Sequence, residues 1–182
     1  MQFKHAGFLR RYFATFLDGV IGFCLGLIIL ALPVNKEAVA DVLSGKDYSR
    51  IALIACIFIL YNILMIIYTL FFVGKFGGTL GKLLFGMKIV DRDSGEAIGI
   101  KRAFLRTYLG YTFSSQFFGL GYWRIVKHPE KLAWHDELFN TKVVITRGPL
   151  LGIIVSIVFP VLSAIVIYNV IASVLLPSIP LR

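Results

Sequence analysis

The sequence contains few charged residues and few cysteines. Asp, Glu, Lys and Arg make up 16% of its 182 residues, whereas 58% are hydrophobic. Soluble domains are about one quarter charged, so this composition argues against an ordinary soluble domain and predicts a membrane protein. The two cysteines both lie in apolar runs. They are too few for a disulfide framework in a chain of this length.

Histidine is also scarce, which limits the enzymatic chemistry that the chain can support. The pair His135-Asp136 would suit a metal-dependent phosphohydrolase, but the other histidines, His5 and His128, lie at no ligand spacing. The sequence shows no Ser-His-Asp elbow, no paired catalytic carboxylates and no Cys-His pair. We therefore expect neither an enzyme nor a bound metal or cofactor.

The charge that is present is mostly positive. Nineteen Lys and Arg residues stand against ten Asp and Glu residues, which gives a formal charge of +9. In a chain this hydrophobic, basic residues usually mark cytoplasmic loops and contacts with anionic headgroups. No nucleic-acid-binding motif accompanies the charge. We expect membrane lipids as partners and no nucleic acid.

Three apolar runs are long enough to cross a bilayer, which takes about 20 helical residues. They extend over Arg10–Leu32, Ile51–Val73 and Leu150–Leu176. Residues 1–11 carry basic side chains and no acid, which predicts a cytoplasmic N-terminus. After two spans, the basic segment 74–106 returns to the same side, in agreement with this orientation.

The segment Ala103–Trp123 is apolar enough to enter the membrane but contains Arg106 and several hydroxyl side chains. If it crossed, the basic loop that ends at Arg147 would lie outside, against the charge rule. A re-entrant or interfacial helix would keep both basic loops in the cytoplasm. We expect such a helix here.

Two short runs have the composition of strands. The side chains of Met87–Val90 follow the alternating pattern of a β-strand, and the run Thr141–Thr146 could pair with it. The predicted fold is therefore an all-α membrane protein with three transmembrane helices, a re-entrant or interfacial helix and a small cytoplasmic β element.

One carboxylate interrupts the first apolar run. Asp18 lies seven residues after Arg11, so both side chains project from one face of the predicted helix. A charge at membrane depth costs a few kcal/mol and normally faces a partner or a wet cavity. Asp18 is therefore a candidate functional residue.

Four motifs follow one another along the chain. They are RxxAxxxD from Arg11 to Asp18, GGTxGKxxxGxxIVD from Gly77 to Asp91, FLR from Phe104 to Arg106, and HDxLxxTxVV from His135 to Val144. In this order they resemble the RDD family of bacterial and archaeal membrane proteins.

The resemblance covers residues 6–146 and leaves 147–182 as an additional C-terminal transmembrane helix. The arginine and two aspartates that name the family would be Arg11, Asp18 and Asp136. Leu80 and Asn140 depart from the family pattern, which often has proline and glycine at these two places.

The resemblance implies a suspected transport role, since sodium/proton antiport is ascribed to some members. A desolvated carboxylate can bind either a proton or a small cation. We therefore predict an ion- or proton-binding cluster of Arg11, Asp18, Arg106 and Asp136 near the cytoplasmic leaflet. The alternative is a structural ion-pair network that holds the segment Ala103–Trp123 against the first helix.

Two functions remain open. The first is antiport-like transport of a monovalent cation, for which three spans per chain suggest a homo-oligomer. The second is a non-transporting module that docks a partner or anionic lipid through its basic cytoplasmic face. Lys82 and Lys88 are expected to face lipid headgroups. Either function would place a multi-pass protein in the plasma (inner) membrane of a prokaryote.

Overall fold

Three long helices dominate the computed structural model, which describes residues 4–30, 37–38, 40–42, 44–45 and 48–175. Helix α1 is Phe8–Leu30, α2 is Ile51–Phe76 and α7 is Leu150–Leu175. By length and composition, each is long and apolar enough to cross a membrane. Three long apolar helices are confirmed at the predicted places, although the predicted ends of the first and third, Leu32 and Leu176, lie outside the described residues.

Short elements connect α2 to α7. In chain order they are α3 (Leu80–Leu84), β1 (Met87–Asp91), α4 (Gly99–Phe104), α5 (Tyr111–Lys127), α6 (Trp134–Leu138) and β2 (Thr141–Ile145). The residues Leu105–Gly110 form a π-helical turn between α4 and α5. Helix α4, this turn and α5 therefore make one continuous helical run. This run contains no reversal of the chain, which a re-entrant hairpin would need, so it agrees with an interfacial helix or with a spanning one, and the interfacial placement of Ala103–Trp123 stays a prediction.

The strands β1 and β2 form an antiparallel pair, as predicted. The register runs from Met87 opposite Ile145 to Asp91 opposite Thr141. The free edge of β2 is used as well. The backbone N–H of Ala6 donates to the carbonyl of Val143 at 2.9 Å, and that of Ile145 donates to Lys4 at 2.8 Å. These bonds hold the N-terminal segment against the sheet, and so they position the first turns of α1.

Asn140 occupies the turn that leads into β2. Its φ of 49° lies in the left-handed region, which is costly for most side chains and is tolerated by glycine and asparagine. The departure from the family's usual glycine therefore preserves the backbone conformation that this turn requires.

The chain divides into two compact units. The first consists of residues 1–18 and 67–155 and contains the sheet, the short helices and the buried polar side chains. Its apolar core centres on the sheet, with Met87, Ile89, Val143 and Val144 all buried. The second consists of residues 19–66 and 156–182. Within it, the Tyr61 hydroxyl donates to the carbonyl of Gly22 at 2.5 Å.

Candidate functional site

Asp136 is the most deeply buried carboxylate of the first unit, with no exposed surface. It lies in the first turn of α6, where its Oδ2 accepts the backbone N–H of Ala133 at 3.1 Å. The hydroxyl of Thr141, at the start of β2, lies 3.4 Å from Oδ1. The carboxylate thus satisfies a helix-terminal donor that would otherwise be buried without a partner.

Two guanidinium groups bind this carboxylate from different helices. Arg11 of α1 donates through Nη1 to Oδ2 at 2.5 Å, and Arg106 of the π turn donates through Nη2 to Oδ1 at 2.5 Å. The side chains of Arg11 and Arg106 are only 10% and 1% exposed. Charge-assisted hydrogen bonds of this kind are about twice as strong as neutral ones.

The remaining nitrogens of both arginines also have acceptors. Arg11 donates to the carbonyls of Ala6 at 3.0 Å and Lys131 at 2.7 Å. Arg106 donates through Nε to the Thr141 hydroxyl at 3.0 Å and approaches the Tyr111 hydroxyl at 3.4 Å. A buried ion pair is tolerated only when such secondary bonds are made. The set of Arg11, Arg106 and Asp136 is called the RDR cluster below.

The π turn is packed closely enough against α6 to bring Arg106 to Asp136. A Cβ atom added to Gly110 would lie 2.8 Å from the Cβ of His135 and 2.9 Å from the ring of Phe139. Only a glycine fits between these helices without a shift. The π turn itself widens the helix locally, and such turns occur often at functional sites.

The electrostatics of the RDR cluster fix its protonation. Burial alone would raise the pKa of Asp136, but the guanidinium groups of Arg11 and Arg106 hold it well below its usual range. Burial lowers the pKa of the neighbouring His135 to about 3, and the charge of Arg106 acts in the same direction. At neutral pH Asp136 is therefore ionised and His135 is neutral.

Asp18 belongs to a separate set of contacts. Its Oδ2 accepts the Thr79 hydroxyl at 2.5 Å, and its Oδ1 accepts the backbone N–H of Gly81 at 2.7 Å. The ammonium of Lys82 lies 4.0 Å from Oδ2. The Asp18 side chain is 18% exposed and that of Lys82 is 7% exposed. Asp18 and Lys82 form a loose ion pair, because 4.0 Å is beyond hydrogen-bond distance.

The structure thus divides the predicted cluster. Arg11, Arg106 and Asp136 come together, whereas Asp18 contacts Thr79, Gly81 and Lys82 instead. Lys82 is buried beside Asp18 instead of lying on the surface, and its expected contact with lipid headgroups stays a prediction. Lys88 is exposed on β1, as that prediction requires.

Sequence reasoning did not identify Thr79 and Thr141 as partners of the two aspartates. Thr79 occupies the N-cap position of α3 but makes no side-chain cap there, and its hydroxyl donates to Asp18 instead. Both threonines belong to the motifs quoted above, Thr79 three residues before Lys82 and Thr141 five residues after Asp136. Their places in these motifs were the sequence signal that could have identified them.

A cavity of about 360 Å³ lies beside the RDR cluster within the first unit. Its basic lining consists of Arg11, Lys82 and Arg106, and no described acidic side chain lines it. Aromatic side chains form much of the remaining wall, among them Phe8, Tyr12, Tyr111, Tyr122 and Trp123. A cavity of this kind favours a ligand with a negative charge and apolar surface.

The RDD family profile matches residues 5–140. The chain belongs to the RDD family. This match contains the residues of the RDR cluster together with the Asp18–Lys82 pair, and α7 lies beyond it. The protein is accordingly an RDD family membrane protein with three apolar helices long enough to span a bilayer.

A relative within the family is the uncharacterized protein YxaI of Bacillus subtilis (strain 168). It is 31% identical over 151 residues, which cover 78% of this chain and 97% of YxaI. No solved structure is significantly similar to the chain.

Proposed function

We propose that this RDD protein exchanges a monovalent cation for a proton across the membrane, with Asp18 and Lys82 as the exchanging groups. The observation that carries the proposal is the loose pair itself. A carboxylate in a helix long enough to cross the membrane lies 4.0 Å from an ammonium that is almost completely buried. Ionisable side chains in such helices commonly mark ion or proton pathways.

The exchange follows from competition for one carboxylate. A cation such as Na⁺ takes oxygen ligands, and the Asp18 carboxylate and the Thr79 hydroxyl lie side by side to supply them. When the cation binds Asp18, Lys82 loses its counter-ion in a site that excludes most water. The ammonium then releases one proton, so that one positive charge enters and one leaves. Reprotonation of Lys82 restores the ion pair and expels the cation.

Asp136 does not take part in this exchange. Both of its oxygens accept charge-assisted hydrogen bonds, and the carboxylate is closed to solvent. Its role in the proposal is to hold α1 against the π turn and α6. Three spans per chain provide few walls for a pathway, so the proposal includes a homo-oligomer.

The proposal is tested by proton flux in sealed vesicles. The purified chain is reconstituted with an internal pH-sensitive dye, and Na⁺ or K⁺ is added outside. We expect cation-dependent proton flux in the wild type, and its loss in Asp18→Asn and Lys82→Met with unchanged protein abundance. Lys88→Met removes an equal charge from an exposed position and should retain the flux. Wild-type vesicles without any cation-dependent flux would refute the proposal.

A second candidate function is a non-transporting module that docks a partner through a basic surface. The observation in its favour is a set of exposed lysines, namely Lys75, Lys88, Lys101 and Lys127. This function predicts that vesicles show no flux and that Asp18→Asn reduces the amount of folded protein.

A further inference from the structure

The cavity beside the RDR cluster has a positive charge that its surroundings do not neutralise. Three cations line it, and among the described residues the carboxylates bound to those cations are Asp136 and Asp18, which lie outside the lining. One positive charge is therefore left over. An excess charge in a site with little water is stabilised by a bound anion.

Lys82 is the cation with donors to spare. An ammonium carries three hydrogens. Among the described residues, the Lys82 ammonium has one hydrogen-bond partner, the Thr79 hydroxyl at 3.3 Å, and the Asp18 carboxylate lies 4.0 Å away. The nitrogens of Arg11 and Arg106, by contrast, already have acceptors. A ligand in the cavity would meet an ammonium that is buried and incompletely bonded.

The aromatic wall of the cavity indicates where its opening lies. The rings of Phe8 and Trp123 stack with centroids 5.9 Å apart, and Tyr12 stacks on Phe8 at 6.3 Å. Tyr12 and Trp123 are nonetheless 55% and 59% exposed. Phe8 is also the first residue of an apolar span. Exposed Trp and Tyr at the end of a span are typical of the headgroup level of a membrane.

We propose that this cavity binds the phosphate group of an anionic lipid, with Lys82 as its principal contact. The phosphate supplies the missing negative charge and accepts the spare hydrogens of Lys82. The acyl chains leave past Phe8, Tyr12 and Trp123 into the membrane. Free phosphate would use the same ammonium, but it would gain nothing from the aromatic wall. The inference concerns the same Lys82 ammonium as the proposed cation exchange, in its protonated state, and its test measures lipid binding and not ion flux.

Trp123 provides the means to test this site. The chain has two tryptophans, so Trp134→Phe leaves Trp123, at the cavity, as the single tryptophan, which can be excited selectively over the tyrosines. The purified full chain in neutral detergent is titrated with short-chain phosphatidylglycerol, with phosphatidylcholine of the same chain length, and with inorganic phosphate. We expect saturable binding of phosphatidylglycerol at a concentration at least about tenfold below that of the other two, since bonds to a buried charge are strong.

The variants assign the binding to Lys82. In the same single-tryptophan background, Lys82→Met should weaken phosphatidylglycerol binding about tenfold. Lys88→Met, at an exposed lysine, should change it less than about twofold, because exposed charges contribute little. Equal binding of the two lipids would overturn the proposal, and this comparison needs no substitution at Lys82. Binding of inorganic phosphate as tight as that of phosphatidylglycerol would instead identify a free-anion site and overturn the assignment to lipid. No outcome depends on ion flux.

Discussion

Asp136→Asn is the substitution that the structure ties most directly to a free energy of unfolding. The change keeps the size of the side chain but removes the charge that pairs with Arg11 and Arg106. Both guanidinium groups would remain buried, each having lost its carboxylate. We expect a large loss of stability, because a buried charge without its partner is more unfavourable than the absence of the whole ion pair.

The magnitude follows from burial. Breaking one buried ion pair by removing a single partner costs about 3–5 kcal/mol. Here one carboxylate serves two arginines, and its side chain and that of Arg106 are 0% and 1% exposed. Asparagine still offers one acceptor oxygen, so we expect a loss within about 3–5 kcal/mol rather than twice that range.

The assay is reversible unfolding in detergent mixtures, followed by the helical circular dichroism signal. The matched control is Glu137→Gln, the neighbouring acid on α6. It also pairs with an arginine, Arg124, at 2.8 Å, but the two side chains are 30% and 43% exposed. Exposed pairs often contribute nothing measurable, so the control should unfold as the wild type does. Equal stability of Asp136→Asn and Glu137→Gln would refute the reasoning.

Two further substitutions follow from the geometry. Since burial lowers the pKa of His135 to about 3, the unfolded chain takes up a proton as the pH falls below 6.5 while the folded chain does not. Melting temperatures of the wild type should therefore decrease between pH 7 and pH 5, and they should decrease less steeply in His135→Asn. Gly81→Ala should abolish cation-dependent proton flux, because its Cβ would clash with the carbonyl oxygen of Ala14 and lie 2.8 Å from the Asp18 carboxylate, so that α3 must shift away from Asp18. In Gly19→Ala, where no described side chain lies within 4 Å of the new Cβ, flux should persist.

The spans and the sheet were predictable because each depends on a local pattern. A run of about 20 apolar residues specifies a spanning helix with little reference to the rest of the chain. Helix α2 (Ile51–Phe76) begins at the predicted residue and ends three residues after the predicted end, Val73. The strands β1 and β2 were recognisable from β-branched residues in short runs, although 49 residues separate their ends, Asp91 and Thr141.

The partners of each carboxylate were harder to predict, because they depend on how distant segments pack. The spacing of Arg11 and Asp18 places both on one face of a helix, which suggested a shared site. In the structure, the segment before β1 supplies the partners of Asp18 instead. Gly77 has a φ of 80°, in the region that favours glycine, and the chain turns there so that α3 presents the backbone N–H of Gly81 to Asp18. The residues near Asp18 in the sequence give no indication of that turn, and so the partners of Asp18 could not be predicted from them.

The two ion-pair sets differ in a way that assigns them different roles. A group that changes partners during a cycle must be held weakly enough to release, whereas a group that fixes geometry must not release at all. Asp136 has two bonds of 2.5 Å to guanidinium groups, and Asp18 has an ammonium at 4.0 Å. Arg11 and Asp18 lie on the same helix, about 10 Å apart along its axis. The RDR cluster therefore fixes the position of Asp18 against α3, and loss of Asp136 should remove both folded protein and flux, whereas loss of Asp18 should remove flux alone.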